Sequence, residues 1–173
     1  MALLPIRFFP DPVLRTKCTL VEEINDNVRE MLKRMLETMY ANDGGGLAAN
    51  QVGYTLRMIV SDPGDKSILK PLKLINPKIV WRSKELKVSG EGCLSLPGVY
   101  PEVTRSAEVN VQYYDELGQM QEVHAKGYLS ACLQHELDHL DGILSIDYLS
   151  DFKRKLAIRR IQKNVKMISR KED

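Results

Sequence analysis

The hydrophobic residues between positions 26 and 41 recur at intervals of three and four, which is the period of an amphipathic α-helix. They are Val28, Met31, Leu32, Met35, Leu36 and Met39. Asn27 followed by Glu30 is typical of an N-terminal capping box, and the Gly-rich segment 44–46 predicts the end of the helix. The methionine stripe indicates core packing rather than a set of sulfur ligands, because Met fills irregular cores.

The middle of the chain contains short segments that predict β-strands. They are residues 57–60, 72–75, 78–81, 86–88, 109–113 and 119–126. Val109, Val111 and Tyr113 alternate with polar residues, so one face of that strand is expected to be solvated. Helices at the two ends with strands between them predict an α+β fold of mostly antiparallel sheets, forming a single domain over residues 1–173.

Two more helices are predicted in the C-terminal part of the chain. Gly127 precedes a segment whose apolar side is Leu129, Leu133, Leu137 and Leu140, and Gly142 suits its end. We expect the sheets to pack around this central helix. Residues 151–169 predict a last amphipathic helix, with Phe152, Leu156, Ile161, Val165 and Ile168 opposite the basic residues.

The charge of the chain is unevenly distributed, although the formal net charge of the 173 residues is only +2. Residues 151–173 contain nine Lys/Arg and three Asp/Glu, a net of +6, whereas the remainder has sixteen basic and twenty acidic residues, a net of −4. This basic C-terminal segment is therefore electrostatically separate from the rest. Its outer face is either simply solvated or contacts an anionic partner.

The sequence favours a cytoplasmic location and no membrane span. No run of about 18 apolar residues occurs, and the first seven residues lack the layout of a signal peptide. The three cysteines, Cys18, Cys93 and Cys132, have unrelated spacings that do not resemble a disulfide framework.

The segment 131–142 contains His135, Glu136 and His139. Two histidines four residues apart lie on one face of a helix, so both imidazoles can reach one metal ion. Glu136 follows the first histidine and can reach a water molecule on that ion without being a ligand. The motif predicts a catalytic metal with Glu136 as general base.

The third metal ligand is not supplied downstream in the usual way. In the extended form of the motif a third histidine would stand at position 145, where this chain has Ser145. Asp147 and Asp151 are possible ligands but lie close behind the helix. Upstream, Cys93 follows a glycine, and one thiolate with two imidazoles leaves a fourth position open for water. We favour Cys93 as the ligand and expect Cys132 to be a buried or pocket-lining thiol.

Three segments together resemble the peptide deformylase family, whose members remove the N-formyl group from newly made bacterial or organellar proteins. They are Gly44-Gly45-Gly46-Leu47-Ala48-Ala49-Asn50-Gln51, Glu91-Gly92-Cys93-Leu94-Ser95 and Gln134-His135-Glu136-Leu137-Asp138-His139. Their order and separations make the resemblance specific, and it covers nearly the whole chain.

The resemblance implies a role for each of these segments. Cys93, His135 and His139 hold one divalent ion, with Fe²⁺ native and Zn²⁺ or Ni²⁺ able to replace it. Gln51 and the backbone N–H of Leu94 donate to the developing oxyanion. The expected substrate-binding residues are Gly45, Gly46, Leu47, Tyr100, Tyr128 and Cys132. Gly45 replaces the Ile or Val that is common in the family, which enlarges the methionine pocket unless Tyr128 refills it. Tyr100 stands where some relatives carry Arg.

The resemblance also implies a partner for the basic C-terminal segment, because bacterial enzymes of this kind dock on the ribosome through a C-terminal helix. Two other functions remain open at this stage. One is a metallopeptidase with a Cys-His-His site, and the other is a catalytically inactive ribosome-binding relative. A purely structural metal site is a third alternative, but it normally has four protein ligands.

Overall fold

The computed structural model describes residues 2–64 and 70–172. Residue 173, the last of the basic C-terminal segment, lies outside these ranges. The helices are α1 (Asp26–Ala41), α2 (Tyr128–Leu140) and α3 (Asp151–Glu172). The strands are β1 (Gly46–Ala48), β2 (Met58–Ser61), β3 (Leu72–Arg82), β4 (Leu86–Gly90), β5 (Glu102–Ser106), β6 (Glu108–Tyr114) and β7 (Met120–Lys126). Short 3-10 turns span Pro12–Arg15, Ala49–Val52 and Ser145–Tyr148.

The strands form two antiparallel sheets, which confirms the α+β prediction. Five strands pair in the order β1-β2-β3-β6-β7, and β4 pairs with β5 in a separate hairpin. Strand β5 was not predicted from the sequence. The segments predicted on either side of Asn76 form one continuous strand with a register irregularity between Ile75 and Lys78. At this irregularity Asn76 has a φ of 53°, and its side chain accepts the Val21 N–H at 2.8 Å and donates to the Val21 carbonyl at 2.9 Å.

Helix α2 lies at the centre of the molecule, as the leucine spacing predicts. Its four leucines, Leu129, Leu133, Leu137 and Leu140, are buried against β2, β3, β6 and β7. Burying each such side chain contributes about 1.5–3 kcal/mol. The opposite side of α2 therefore faces β1 and the hairpin, where the polar residues of the motif are displayed.

Helix α1 buries the predicted stripe, with Val28, Leu32, Met35 and Met39 packed against β1 and β2. The predicted capping box at Asn27 is wrong. Asn25 caps the helix by accepting a hydrogen bond from the Val28 N–H at 3.1 Å, because Asn27 already lies inside the first turn.

Helix α3 packs by a narrower face than the sequence predicts. Ile161 is fully buried in a cluster with Leu14, Leu96 and Leu144. Phe152 and Leu156, however, are 72% and 49% exposed, so this part of the predicted apolar face is not buried. None of the described helices combines the length and apolar character needed to cross a membrane.

Candidate active site

Three parts of the chain meet at the polar side of α2. They are strand β1 with its following 3-10 turn, the loop that follows β4, and α2 itself. Close contact between β1 and α2 depends on Gly46, where an added Cβ would lie 2.7 Å from Cys132 Sγ and 2.8 Å from Glu136 Oε1. A glycine at this position lets the backbone of β1 lie directly on the helix.

The residues predicted to bind a metal ion come together here. His135 and His139 lie one turn apart on α2, with ring centroids 4.9 Å apart and the rings edge to face. Cys93 reaches them from the loop after β4. The donor atoms of the three residues all lie within 4.8 Å of one another, and the described residues contain no second cluster of this kind.

The spacing of this cluster is compatible with one metal ion. Metal–sulfur and metal–nitrogen bonds of about 2.3 and 2.1 Å at a tetrahedral angle place S and N about 3.6 Å apart. Cys93 Sγ lies 3.3 Å from His139 Nε2. Asp147 is not part of the cluster, because its carboxylate accepts hydrogen bonds from both terminal nitrogens of the Arg15 guanidinium, at 2.6 and 2.9 Å.

A buried ionic network orients His135. Its Nδ1 lies 2.9 Å from Glu91 Oε1, so Nε2 is the nitrogen that faces Cys93. Arg105 donates to both oxygens of Glu91 at 2.8 Å and to Asp138 at 2.6 Å. Tyr148 donates to Asp138 at 2.7 Å, and its ring faces the guanidinium at 5.1 Å. Such partners of a ligating histidine hold its ring and its tautomer in place.

The two imidazoles differ in the direction in which their pKa values are shifted. Burial alone would lower the pKa of His135, but hydrogen bonds with Cys93 and Glu91 raise that pKa well above its ordinary value. Burial lowers the pKa of His139 well below its ordinary value. Both imidazoles must be neutral to bind a metal ion.

Glu136 lies beside the cluster and is almost fully buried. Its Oε2 has no hydrogen-bond partner among residues 2–64 and 70–172. Burial raises the pKa of Glu136 to about 7, and the nearby Glu91 acts in the same direction. A carboxyl group with a pKa near neutrality can both accept and donate a proton at the same pH.

Gln51 also reaches the cluster. It lies on the 3-10 turn after β1, where its Oε1 accepts the Ala48 N–H at 2.9 Å. This bond directs Nε2 toward Cys93 Sγ at 3.5 Å and Ser95 Oγ at 3.2 Å. Leu94 lies between these two residues in the loop, and its N–H has no backbone acceptor in the described parts of the chain.

A cavity of about 1130 Å³ opens onto these groups. Gly45, Gly46, Tyr100, Tyr128 and Cys132 line it together with His135 and Glu136. Leu47 was also expected to line the pocket, but its side chain is fully buried in the core beneath α1. Neighbouring residues of a strand face opposite sides, so Leu47 points away from the side on which Gly46 meets α2.

Comparison with known proteins identifies the family. A family model described as polypeptide deformylase matches residues 3–155 of this chain. The chain belongs to the polypeptide deformylase family. It is 48% identical to a peptide deformylase of Rhizobium meliloti over 167 residues, which cover 96% of each protein.

Solved peptide deformylase structures share the whole fold. The protein of Legionella pneumophila superposes with a TM-score of 0.92 at 39% identity, covering 98% of this chain and 99% of that one. The protein of Ehrlichia chaffeensis, crystallised with actinonin, gives a TM-score of 0.90 at 40% identity, covering 95% and 98%. The α+β architecture derived above is therefore that of the deformylase family.

Sequence reasoning missed several groups whose hydrogen bonds hold the residues of the metal cluster in place. Arg105 and Tyr148 carry no local pattern that separates them from surface residues, whereas Ser95 and Asp138 stand inside the segments that carry the family resemblance. Glu91 had one usable signal, since it stands two residues before Cys93 in the same segment. Asn50 was likewise missed, although its side chain donates to the His139 carbonyl at 2.5 Å and so ties the 3-10 turn to α2.

Proposed function

We propose that this protein hydrolyses the N-formyl group of N-terminal formyl-methionine in newly synthesised proteins and releases formate. The observation that carries the proposal is the Cys93-His135-His139 cluster, whose two histidines are buried, with a buried Glu136 beside it and a cavity that opens onto these groups. Family membership supports it, since the relatives compared above are named peptide deformylases.

Cys93, His135 and His139 would hold one divalent ion. When bound there, it supplies the chemistry of a Lewis acid, which polarises a carbonyl and favours deprotonation of water. The donor set of one thiolate and two imidazoles fits Fe²⁺ as well as Zn²⁺ or Ni²⁺. We assign Fe²⁺ as the resident ion, and metal analysis of protein purified without oxygen tests this assignment.

The roles of the remaining groups follow from their positions. Glu136 takes a proton from the attacking water and then delivers it to the nitrogen of the leaving amine. Gln51 Nε2 and the Leu94 N–H donate to the oxygen on which negative charge develops. One such donor is worth about 2.7–4 kcal/mol of barrier. Glu91 bonds His135 and is itself held by Arg105, and this pair keeps the imidazole in place.

Formate release is the test of the proposed reaction. Protein prepared anaerobically with Fe²⁺ is assayed with formyl-Met-Ala-Ser, acetyl-Met-Ala-Ser and free Met-Ala-Ser. We expect formate from the first peptide only, and a loss of at least about a hundredfold in Glu136→Gln, which keeps the shape but removes the base. Cleavage of the Met-Ala bond instead would identify a metallopeptidase. Absence of any turnover with one ion bound per chain would identify an inactive relative.

We further propose that the protein works in the cytoplasm and docks on the ribosome through the outer face of α3. The inner face of α3 packs against the body of the protein, and the Arg154 guanidinium donates hydrogen bonds to the carbonyls of Ile146, Asp147 and Leu149. Arg159, Lys163 and Lys166 are exposed on the outside. Their contacts with RNA phosphates are expected to weaken steeply with salt and to be independent of sequence.

Ribosome co-sedimentation at rising salt tests the docking. The variant Arg159→Glu/Lys163→Glu/Lys166→Glu changes the outer face and leaves the buried Ile161 in place. A matched control, Lys78→Glu/Lys84→Glu/Lys126→Glu, makes the same change of net charge on exposed residues of β3, of the turn that follows it and of β7. We expect only the α3 variant to lose binding, and equal loss in both variants would contradict a specific surface.

A further inference from the structure

The outer wall of the cavity between β1 and α2 is formed by Gly45 and Tyr128. A Cβ added to Gly45 would lie 3.2 Å from ring carbons Cε1 and Cζ of Tyr128 and in still closer conflict with its hydroxyl. The ring of Tyr128 therefore occupies the space that a side chain at position 45 would need. Gly45 and Tyr128 are complementary in shape, and the phenol takes the place of an aliphatic wall.

The Tyr128 hydroxyl is a hydrogen-bond donor inside this wall. The side chain of Tyr128 is 63% exposed, so its hydroxyl is accessible to a molecule in the cavity. Partial desolvation raises the pKa of Tyr128, and the neighbouring Cys132 and Glu136 raise it further, so the phenol is protonated near neutral pH. The carbonyl of Gly45 is already taken by the Ser61 hydroxyl and the Asp62 N–H, each at 3.0 Å. Among the described residues the hydroxyl of Tyr128 has no acceptor.

Tyr128, Cys132 and Glu136 follow one another at one-turn intervals on the side of α2 that faces β1. The side chain of a substrate residue whose formyl group lies beside Glu136 is therefore expected to enter the space between Gly45, Ala131, Cys132 and Tyr128, all of which line the cavity. In this space the phenol hydroxyl is the strongest free donor, since Gly45 and Ala131 have no polar side-chain atom and a thiol donates weakly.

We propose that Tyr128 is a specificity-determining residue. Its hydroxyl allows the cavity to accept a substrate whose N-terminal side chain carries an acceptor oxygen, and methionine sulfoxide is the example closest to methionine. This inference rests on the proposed deformylase function. Oxidation of Met to its sulfoxide converts an apolar side chain into a polar one. An aliphatic wall would leave the new oxygen without a partner, which disfavours its burial, whereas the Tyr128 hydroxyl supplies a donor.

The test compares kcat/KM for formyl-Met-Ala-Ser, its methionine sulfoxide form and the apolar formyl-norleucyl-Ala-Ser. We expect Tyr128→Phe, which keeps the ring and removes the donor, to lower the ratio of sulfoxide to norleucine activity about five- to tenfold, the effect of one neutral hydrogen bond. Gly45→Ala, which displaces the ring without deleting the hydroxyl, is expected to lower the same ratio. Tyr114→Phe, in a half-buried tyrosine of β6 that does not line the cavity, is the matched control and keeps the ratio.

The outcomes separate this proposal from the reaction on which it rests. An unchanged ratio in Tyr128→Phe, or an equal fall for all three peptides, would overturn the role of the hydroxyl and leave the deformylase function standing. A wild-type protein that releases no formate from any of the peptides would overturn both.

Discussion

Replacement of Arg105 by methionine tests the network that supports the metal cluster. The guanidinium makes three short hydrogen bonds to Glu91 and Asp138, and the side chains of Arg105 and Glu91 are only 7% and 6% exposed. Methionine has a similar length and no charge, so Arg105→Met leaves the Glu91 carboxylate buried with His135 as its one remaining side-chain partner among the described residues.

The expected cost is large because a buried charge loses its counter-charge. Removing one partner of a buried ion pair costs about 3–5 kcal/mol of unfolding free energy. For a protein of this size each kcal/mol corresponds to about 2–4 °C, so the melting temperature is expected to fall by about 6–20 °C. Loss of a group that orients a ligating histidine is also expected to weaken metal binding about 10- to 100-fold.

The assay is thermal and urea denaturation of metal-free protein, followed by competition with a chelator for Co²⁺ in the loaded protein. Arg82→Met is the matched control, because Arg82 is exposed and its side chain makes one hydrogen bond, of 3.2 Å to Gln134, among the described residues. Glu91→Gln/Arg105→Met removes both charges and is expected to be less destabilised than the sum of the single variants. A loss below about 1 kcal/mol in Arg105→Met with unchanged metal retention would refute the reasoning.

Three further predictions concern other parts of the molecule. Burial raises the pKa of the Asp147 carboxyl, but its hydrogen bonds with Arg15 lower that pKa more. The contribution of Asp147 to stability is therefore complete above the unfolded pKa of about 3.9 and is lost as the pH falls through the lower folded pKa. Asp147→Asn should flatten the decline of the urea midpoint below about pH 4, and an unchanged decline would contradict this reasoning. Metal-free protein should be alkylated by iodoacetamide first at Cys93, because burial raises the pKa of Cys18 to about 11 and that of Cys132 to about 12. Peptide mass spectrometry checks the order of alkylation, and added metal should protect Cys93. Gly46→Ala places a methyl 2.8 Å from Glu136 Oε1 and is expected to lower kcat for formyl-Met-Ala-Ser about a hundredfold, whereas an unchanged kcat would show that β1 can move aside.

Elements with a strong internal period could be predicted from the sequence because their determinants are local. The apolar spacing of α1 and α2 identified both helices and their buried sides. The four-residue interval between His135 and His139 placed both imidazoles on one face for the same reason. The N-cap of α1 was misplaced by two residues because Asn25 and Asn27 are both good caps, and tertiary packing sets which turn is the first.

The tertiary structure alone decided what surrounds that face. Nothing near Cys93, Glu91 or Gln51 in the chain shows that the loop after β4 and the turn after β1 arrive at the same side of α2. Their hydrogen bonds with α2 and with one another join residues more than forty positions apart, for example Glu91 and His135. Similarly, neither Gly45 nor Tyr128 alone indicates the shape of the cavity, and only their contact in the folded protein forms its outer wall. The sequence therefore determined the helices, the metal motif and the choice of Cys93 as third ligand, whereas long-range packing determined the supporting charges and the shape of the cavity.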